Sequence, residues 1–177
     1  TEIGRIPRDW KVVRLGEVCK ETNQIDPKIE PNRVFKYLDV SSVDNKTLRI
    51  VDYQKVLGKE APSRARKLIQ KDDVLFATVR PYLRRIVLVP SELDGELCST
   101  AFCVLRPDKI RLNPYYLFLA VSKENFVARI SEYQRGSSYP AVTDNEVLEQ
   151  KIPLPPLPEQ KKIAEILMTV DRKIELL

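Results

Sequence analysis

The sequence predicts an α+β fold: a single domain with an irregular, mostly antiparallel sheet and a few helices, from which a C-terminal coiled-coil helix projects. Three observations predict it. Short β-branched and aromatic runs bounded by Pro, Gly, Asp or Asn fill the stretch before Arg106. Helix caps and helical spacing begin only after Arg106. Residues 152–177, IPLPPLPEQKKIAEILMTVDRKIELL, pass from a proline-rich strut into a heptad pattern. Strands followed by helices, without regular alternation, favour α+β over a doubly wound sheet.

Residues 12–15, 34–40, 74–79, 86–89 and 101–105 read as the strands. Asn113 and Pro114 supply an N-cap and a first-turn proline for a helix through Leu117, Leu119 and Ala120, and 126–130 continues in helical pattern. A polar loop follows, QRGSSYP at 134–140, with Gly136 as its only glycine. Thr143 and Glu146 form a capping box that opens a short helix to about Gln150. Residues 151–154 suit either a last strand or the start of the strut.

Pro153, Pro155, Pro156 and Pro158 fix φ and favour an extended polyproline path, with Pro158 at the first helical position and Glu159 in the first turn, where the helix dipole favours an anion. Ile163, Leu167, Val170, Ile174 and Leu177 then recur at spacings of four, three, four and three, a coiled-coil seam suited to pairing with another helix. The alternative is a terminal amphipathic helix packed on its own domain. No Gly, Asn or Pro caps the helix, which suggests that it continues. The expected division is a globular body at 1–152 and the strut and helix at 153–177.

With 43% apolar residues in 177, the chain can bury a real core. It begins at Thr1 and its one methionine is Met168, which reads as a piece of a longer protein. No apolar run approaches ~18 residues and no charged leader precedes one, so no membrane span or signal peptide is expected. Cys19, Cys98 and Cys103 are odd in number and histidine is absent, which argues for a reducing cytoplasm, against a zinc site, and for thiols buried as small apolar groups. The lack of histidine also removes the commonest general base and the Ser-His and Cys-His pairs. Five glycines give no phosphate cradle. NPYY at 113–116 lacks the second proline of the adenine-methyltransferase NPPY, and no glycine motif precedes it. Asp72 and Asp73 are adjacent and would point apart on a strand. Catalysis and cofactor binding by this chain alone are therefore not expected.

Net charge is +5, yet between Lys55 and Arg85 nine basic residues face three acidic ones, a surplus of six that exceeds the whole chain's excess. Such a field suits a polyanion partner; the alternative is an ordinary solvated surface. Within it, VRPYLRR at 79–85 places Arg80, Arg84, Arg85 and Tyr82 beside a strand end, with Pro81 turning the chain into a loop. Arginine suits guanine edges and phosphate, and tyrosine stacks or hydrogen-bonds alongside. Arg64, Arg66 and Lys67 extend the candidate DNA-contact set, and Gln134, Arg135, Ser137, Ser138 and Tyr139 of the polar loop complete it.

Six segments in order carry a family resemblance: IPRDWKVVRLGEVC at the start, YLDVSSV at 37–43, DDVLFATVRPYLRR at 72–85, CSTAFCVLRP at 98–107, RGSSYPAVT at 135–143 and IPLPPLPEQKKIAEIL at 152–167. The chain resembles the specificity subunit of type I restriction-modification systems, as one target-recognition domain followed by the start of a conserved spacer helix. The resemblance implies recognition of one half of a bipartite double-stranded DNA target without intrinsic catalysis. It implies modification subunits that bind S-adenosylmethionine and methylate adenine, and a restriction subunit that uses ATP, all as separate partners, with no cofactor on this chain. It also implies that the helices set the distance between half-sites and dock the modification subunits. The chain departs from the full pattern in carrying one recognition domain and about half of one spacer helix. It would then be an excised domain, or half of a subunit that self-pairs through its C-terminal helix. The alternative class is a coiled-coil scaffold or protein-interaction module without specific DNA binding.

Overall fold

The computed structural model describes residues 3–175. Near the start of the chain, β1 (Lys11–Arg14) pairs antiparallel with β12 (Lys151–Leu154), Val12 opposite Pro153 and Val13 opposite Ile152. This pairing decides the role of 151–154: they are a strand, and Pro153, Leu154 and Pro155 are buried. The first half of the proline strut is thus built into the core rather than left as a free polyproline spacer. Proline fits there because the pair has only two strands and each retains an open edge.

A single turn, α1 (Leu15–Val18), leads into β2 (Cys19–Lys20). β3 (Val34–Leu38) is followed by a small hairpin of β4 (Val43–Asp44) and β5 (Arg49–Ile50), then by β6 (Gln54–Leu57) and β7 (Ala65–Leu68). β8 (Val74–Ala77), β9 (Ile86–Leu88), β10 (Leu97–Ser99) and β11 (Phe102–Pro107) complete the strands before the helices α2 (Pro114–Ser122), α3 (Glu124–Ser131), α4 (Asp144–Leu148) and α5 (Leu157–Glu175).

Two four-stranded sheets result, in the orders β2-β11-β8-β9 and β6-β3-β10-β7. The first is antiparallel throughout; the second contains one parallel pair, β3 with β10. β8 is buried at all four residues because the first sheet is covered on both faces. Val74 and Phe76 join Cys103, Leu105 and Ile86 under the helices, whereas Leu75 and Ala77 join Phe102, Val104 and Val87 facing the second sheet. A strand covered on both sides reads as a continuous apolar run. On the helical side Phe126 of α3 meets Phe76 edge-on, with ring centroids 5.7 Å apart.

The helix expectations hold in detail. The Asn113 side chain accepts from Tyr116 N at 2.9 Å to open α2, and Thr143 and Glu146 exchange both bonds of the capping box that opens α4. α5 starts one residue earlier than Pro158. Its first turns pack on the domain through Ala164 and Ile163, while Ile166, Leu167, Val170 and Ile174 are exposed. Leu177, the last seam residue, lies outside the described residues.

Candidate nucleic-acid interface

The two polar segments distant in sequence meet in space. After β8, the buried Thr78 hydroxyl donates to Ala101 O at 2.9 Å, and Val142 N donates back to Thr78 O at 3.0 Å. Val79 bridges to Ala141, Arg80 N donates to Pro140 O at 2.7 Å, and Arg135 and Ala141 exchange N–H···O bonds at 2.9 Å each way. The loop 136–140 is thereby closed at its neck and tied to the end of β8. Gly136 sits at φ +99°, a left-handed conformation that side chains disfavour, and an added Cβ would approach Tyr139 O at 3.3 Å.

Side chains then converge on the surface between them. The Arg80 guanidinium lies 4.9 Å from the centre of the Tyr139 ring, and its Nη2 donates to Ser138 O at 3.0 Å. Tyr82 stands at the tip of a one-turn 3-10 helix, Pro81–Leu83, and is 49% exposed; Tyr139 is 71% exposed. Ser137 and Ser138 are exposed beside them. The Arg135 side chain is 77% exposed and its Nη2 pairs with Glu146 at 2.9 Å. The backbone N–H of Thr143, then the Thr143 hydroxyl and Arg135, hold the Glu146 carboxyl below the usual glutamate range. Tyr133, half exposed and just ahead of the loop, adds an aromatic face. The signal for it was an aromatic flanking a polar loop.

Several residues read as DNA contacts have other employment. Lys67 is a correction: its side chain is only 8% exposed, Nζ donates to Phe102 O at 2.6 Å, and it forms an ion pair with Asp144 that ties β7 to α4. Arg84 Nη2 donates to Ser122 O at 2.7 Å, and Nη1 lies 3.8 Å from Glu124 Oε1. Arg85 Nη1 donates to Val43 O and, at 3.5 Å, to Val40 O. Both arginines are half-buried braces. Arg66 is also half-buried and pairs with Asp26 at 2.8 Å, whereas Arg64 is exposed on the turn before β7. Gln134 is half-buried, and its Oε1 is turned inward without a hydrogen-bond partner.

Cys98 and Cys103 are buried and Cys19 is half-buried, all as free thiols. Burial pushes the Cys19 thiol up to about 12 and raises the Cys98 and Cys103 thiols well above their ordinary value, so none supplies a thiolate at neutral pH. Among the described residues no group of three His, Cys, Asp or Glu side chains could hold a metal ion, and no helix is long and apolar enough to cross a membrane. What the surface offers is guanidinium and hydroxyl donors and flat aromatic faces, the groups that contact phosphates and base edges.

Residues 7–177 match the family model described as the type I restriction modification DNA specificity domain. The chain is 31% identical over 172 residues to the type I restriction enzyme HindI specificity subunit of Haemophilus influenzae, covering 95% of this chain and 36% of that protein. The crystal structure of the HsdS subunit from Thermoanaerobacter tengcongensis superposes with a TM-score of 0.86 at 45% identity, covering 99% of this chain and 46% of that one. A chain from a structure addressing complex assembly and conformational transition of the type I R-M system superposes equally well, with a TM-score of 0.86 at 44% identity over 97% of this chain and 45% of its own. The chain therefore spans between about a third and a half of the length of these relatives. With a family match that runs almost from end to end over one α+β recognition body and its helix, the chain belongs to the type I restriction modification DNA specificity domain family.

Proposed function

We propose that this domain reads one half of a bipartite double-stranded DNA target as part of a specificity subunit and performs no chemistry itself. Modification subunits carrying S-adenosylmethionine then methylate adenine at the site, a restriction subunit using ATP cleaves, and the assembly works in the cytoplasm. The observation that carries this reading is the convergence of the Arg80–Tyr82 turn with the loop at 134–140 into one exposed basic and aromatic surface. Arg80, Tyr82, Arg135, Ser137, Ser138 and Tyr139 are the contacts to bases and nearby phosphates, and the exposed Arg64 is a further phosphate contact. The names of the similar subunits support the same reading, as specificity subunits of type I restriction enzymes. A short half-site bound by one domain gives modest affinity, so two domains held at a fixed separation gain by effective concentration.

The test combines the full-length protein with its neighbouring modification subunit and maps methylated adenines in DNA, alongside gel shifts against random duplexes. A single bipartite motif with fixed spacing is the expected result. Equal affinity for all duplexes, with no methylation motif, would return the chain to the scaffold class.

A further inference from the structure

The helix α2 lies between the reading turn and α5, and a polar side chain from another element clamps each of its ends. At the N-terminal end the clamp is Gln160, a fully buried residue in the first turns of α5. Its Oε1 accepts from Asn113 N at 2.9 Å, and its Nε2 donates to Arg111 O at 3.0 Å and Pro155 O at 2.9 Å. Asn113 is also the N-cap of α2, so one residue both opens α2 and grips α5. Around this joint Tyr116 OH donates to Pro153 O at 2.8 Å and Trp10 Nε1 donates to Glu159 Oε1 at 3.1 Å. Further along, the Tyr115 hydroxyl bonds the Asp171 carboxylate.

At the C-terminal end the clamp is Arg84, whose guanidinium bonds the carbonyl of Ser122, the last residue of α2, where the helix dipole favours a cation. Arg84 closes the turn that carries Tyr82, and Arg80 opens it. Both hold left-handed backbone, at φ +56° and +50°, which non-glycine residues adopt only when their surroundings impose it. α3 packs against the same turn.

We propose that α2 is a rigid rod coupling the reading turn to α5, and that Arg84 and Gln160 are positioning residues that set the angle at which the helix leaves the domain. They thereby set the spacing at which two half-sites are read. The spacing role rests on the DNA-reading proposal above; the rod itself does not. Helix length alone cannot define spacing if the helix can swing. Over the 19 residues of α5, about 28 Å, a tilt of ~10° at the root moves the tip by about 5 Å. That exceeds the rise of about 3.4 Å between adjacent base pairs, so a loosened root blurs the ruler by a full step. A buried carboxamide with three bonds, one to a helix cap, is suited to preventing this, because a swing would strand buried donors and acceptors.

The experiment has two readouts. Spin labels on Tyr82→Cys and Thr169→Cys, in a Cys19→Ser background, report the distance from turn to helix by pulsed EPR without DNA. Gln160→Met removes the three bonds at similar length, Arg84→Ala opens the far end with Arg84→Lys as its conservative partner, and Tyr115→Phe removes only an exposed tether and leaves folding unaffected. The unsubstituted protein gives a narrow distribution. Gln160→Met and Arg84→Ala broaden it about twofold, Tyr115→Phe broadens it less, and Arg84→Lys restores part of the width. In the full-length protein with its modification subunit, the preference for the native half-site spacing over one base pair more or less falls by about tenfold in the first two variants. Base preference within each half-site does not change in Gln160→Met, which lies away from the reading turn. Unchanged distributions in both Gln160→Met and Tyr115→Phe overturn the rod whatever the DNA result. Broadened distributions with intact spacing preference overturn its role in spacing. Absence of specific binding by the unsubstituted protein overturns the DNA-reading proposal and the spacing role together.

Discussion

Arg80, Arg84 and Arg85 share one heptapeptide, yet only Arg80 lies against the aromatic loop. Arg84 and Arg85 reach inward to carbonyls of Ser122, Val40 and Val43. Nothing in VRPYLRR distinguishes them, because the acceptors come from segments some forty residues away in either direction, and arginine serves a carbonyl and a phosphate with the same fork. Lys67 shows the same limit: a lysine in a basic run reads as solvated, and only the fold supplies Asp144 and Phe102 O to make it internal. These assignments separate by stability. Arg85→Ala strips the partner from two carbonyls and should lower unfolding free energy by about 1–3 kcal/mol in denaturant melts. Arg80→Ala removes one loop hydrogen bond and the Tyr139 contact at a half-exposed site and should lower it less, by at most about 1 kcal/mol. The reverse order would show that Arg85, not Arg80, is the free contact.

At the scale of elements, those with strictly local causes were legible. The Asn113 cap, the Thr143–Glu146 box and the apolar runs of β8 and β11 each depend on residues within one or two turns of each other. β2, β4, β5, β6, β7 and β10 were not legible. They have two to four residues, several carry charges such as Lys55, Arg66 and Lys67, and all but the two-residue hairpin strands β4 and β5 exist because a remote strand supplies their hydrogen bonds. The choice left open for 151–154, last strand or start of the strut, has the same cause, since only the pairing with remote β1 decides it. α4 carries a pH prediction. Hydrogen bonding from Thr143 and the charge of Arg135 depress the folded-state pKa of Glu146. Its contribution is therefore present in full above the ordinary glutamate range and lost as pH falls through the lower folded value. The Thr143 amide shift followed by NMR should accordingly titrate below the ordinary glutamate value of about 4.3, and Glu146→Gln should abolish the transition. A midpoint at or above the ordinary value would remove this account of the cap.

For the whole molecule, sequence order separates the reading turn from the polar loop, and folding brings them together through the bonds from Thr78, Val79 and Arg80 to 140–142. Each segment alone was a weak signal, because polar loops and basic strand ends are common. Their joint placement on one surface is what favours DNA over an incidental patch. The same fold seats α5 firmly at its root while leaving Ile166, Leu167, Val170 and Ile174 exposed, so the proposed reading and spacing roles fall to different parts of the domain. The most direct test is the affinity of the full-length protein for its mapped target and for random duplex, measured across a range of salt concentrations for Arg80→Ala combined with Arg135→Ala. The account predicts that the slope of log Kobs against log salt becomes shallower by about 1–2 and that preference for the target falls by at least about tenfold, with the domain still folded. An unaltered slope with unaltered preference would contradict it.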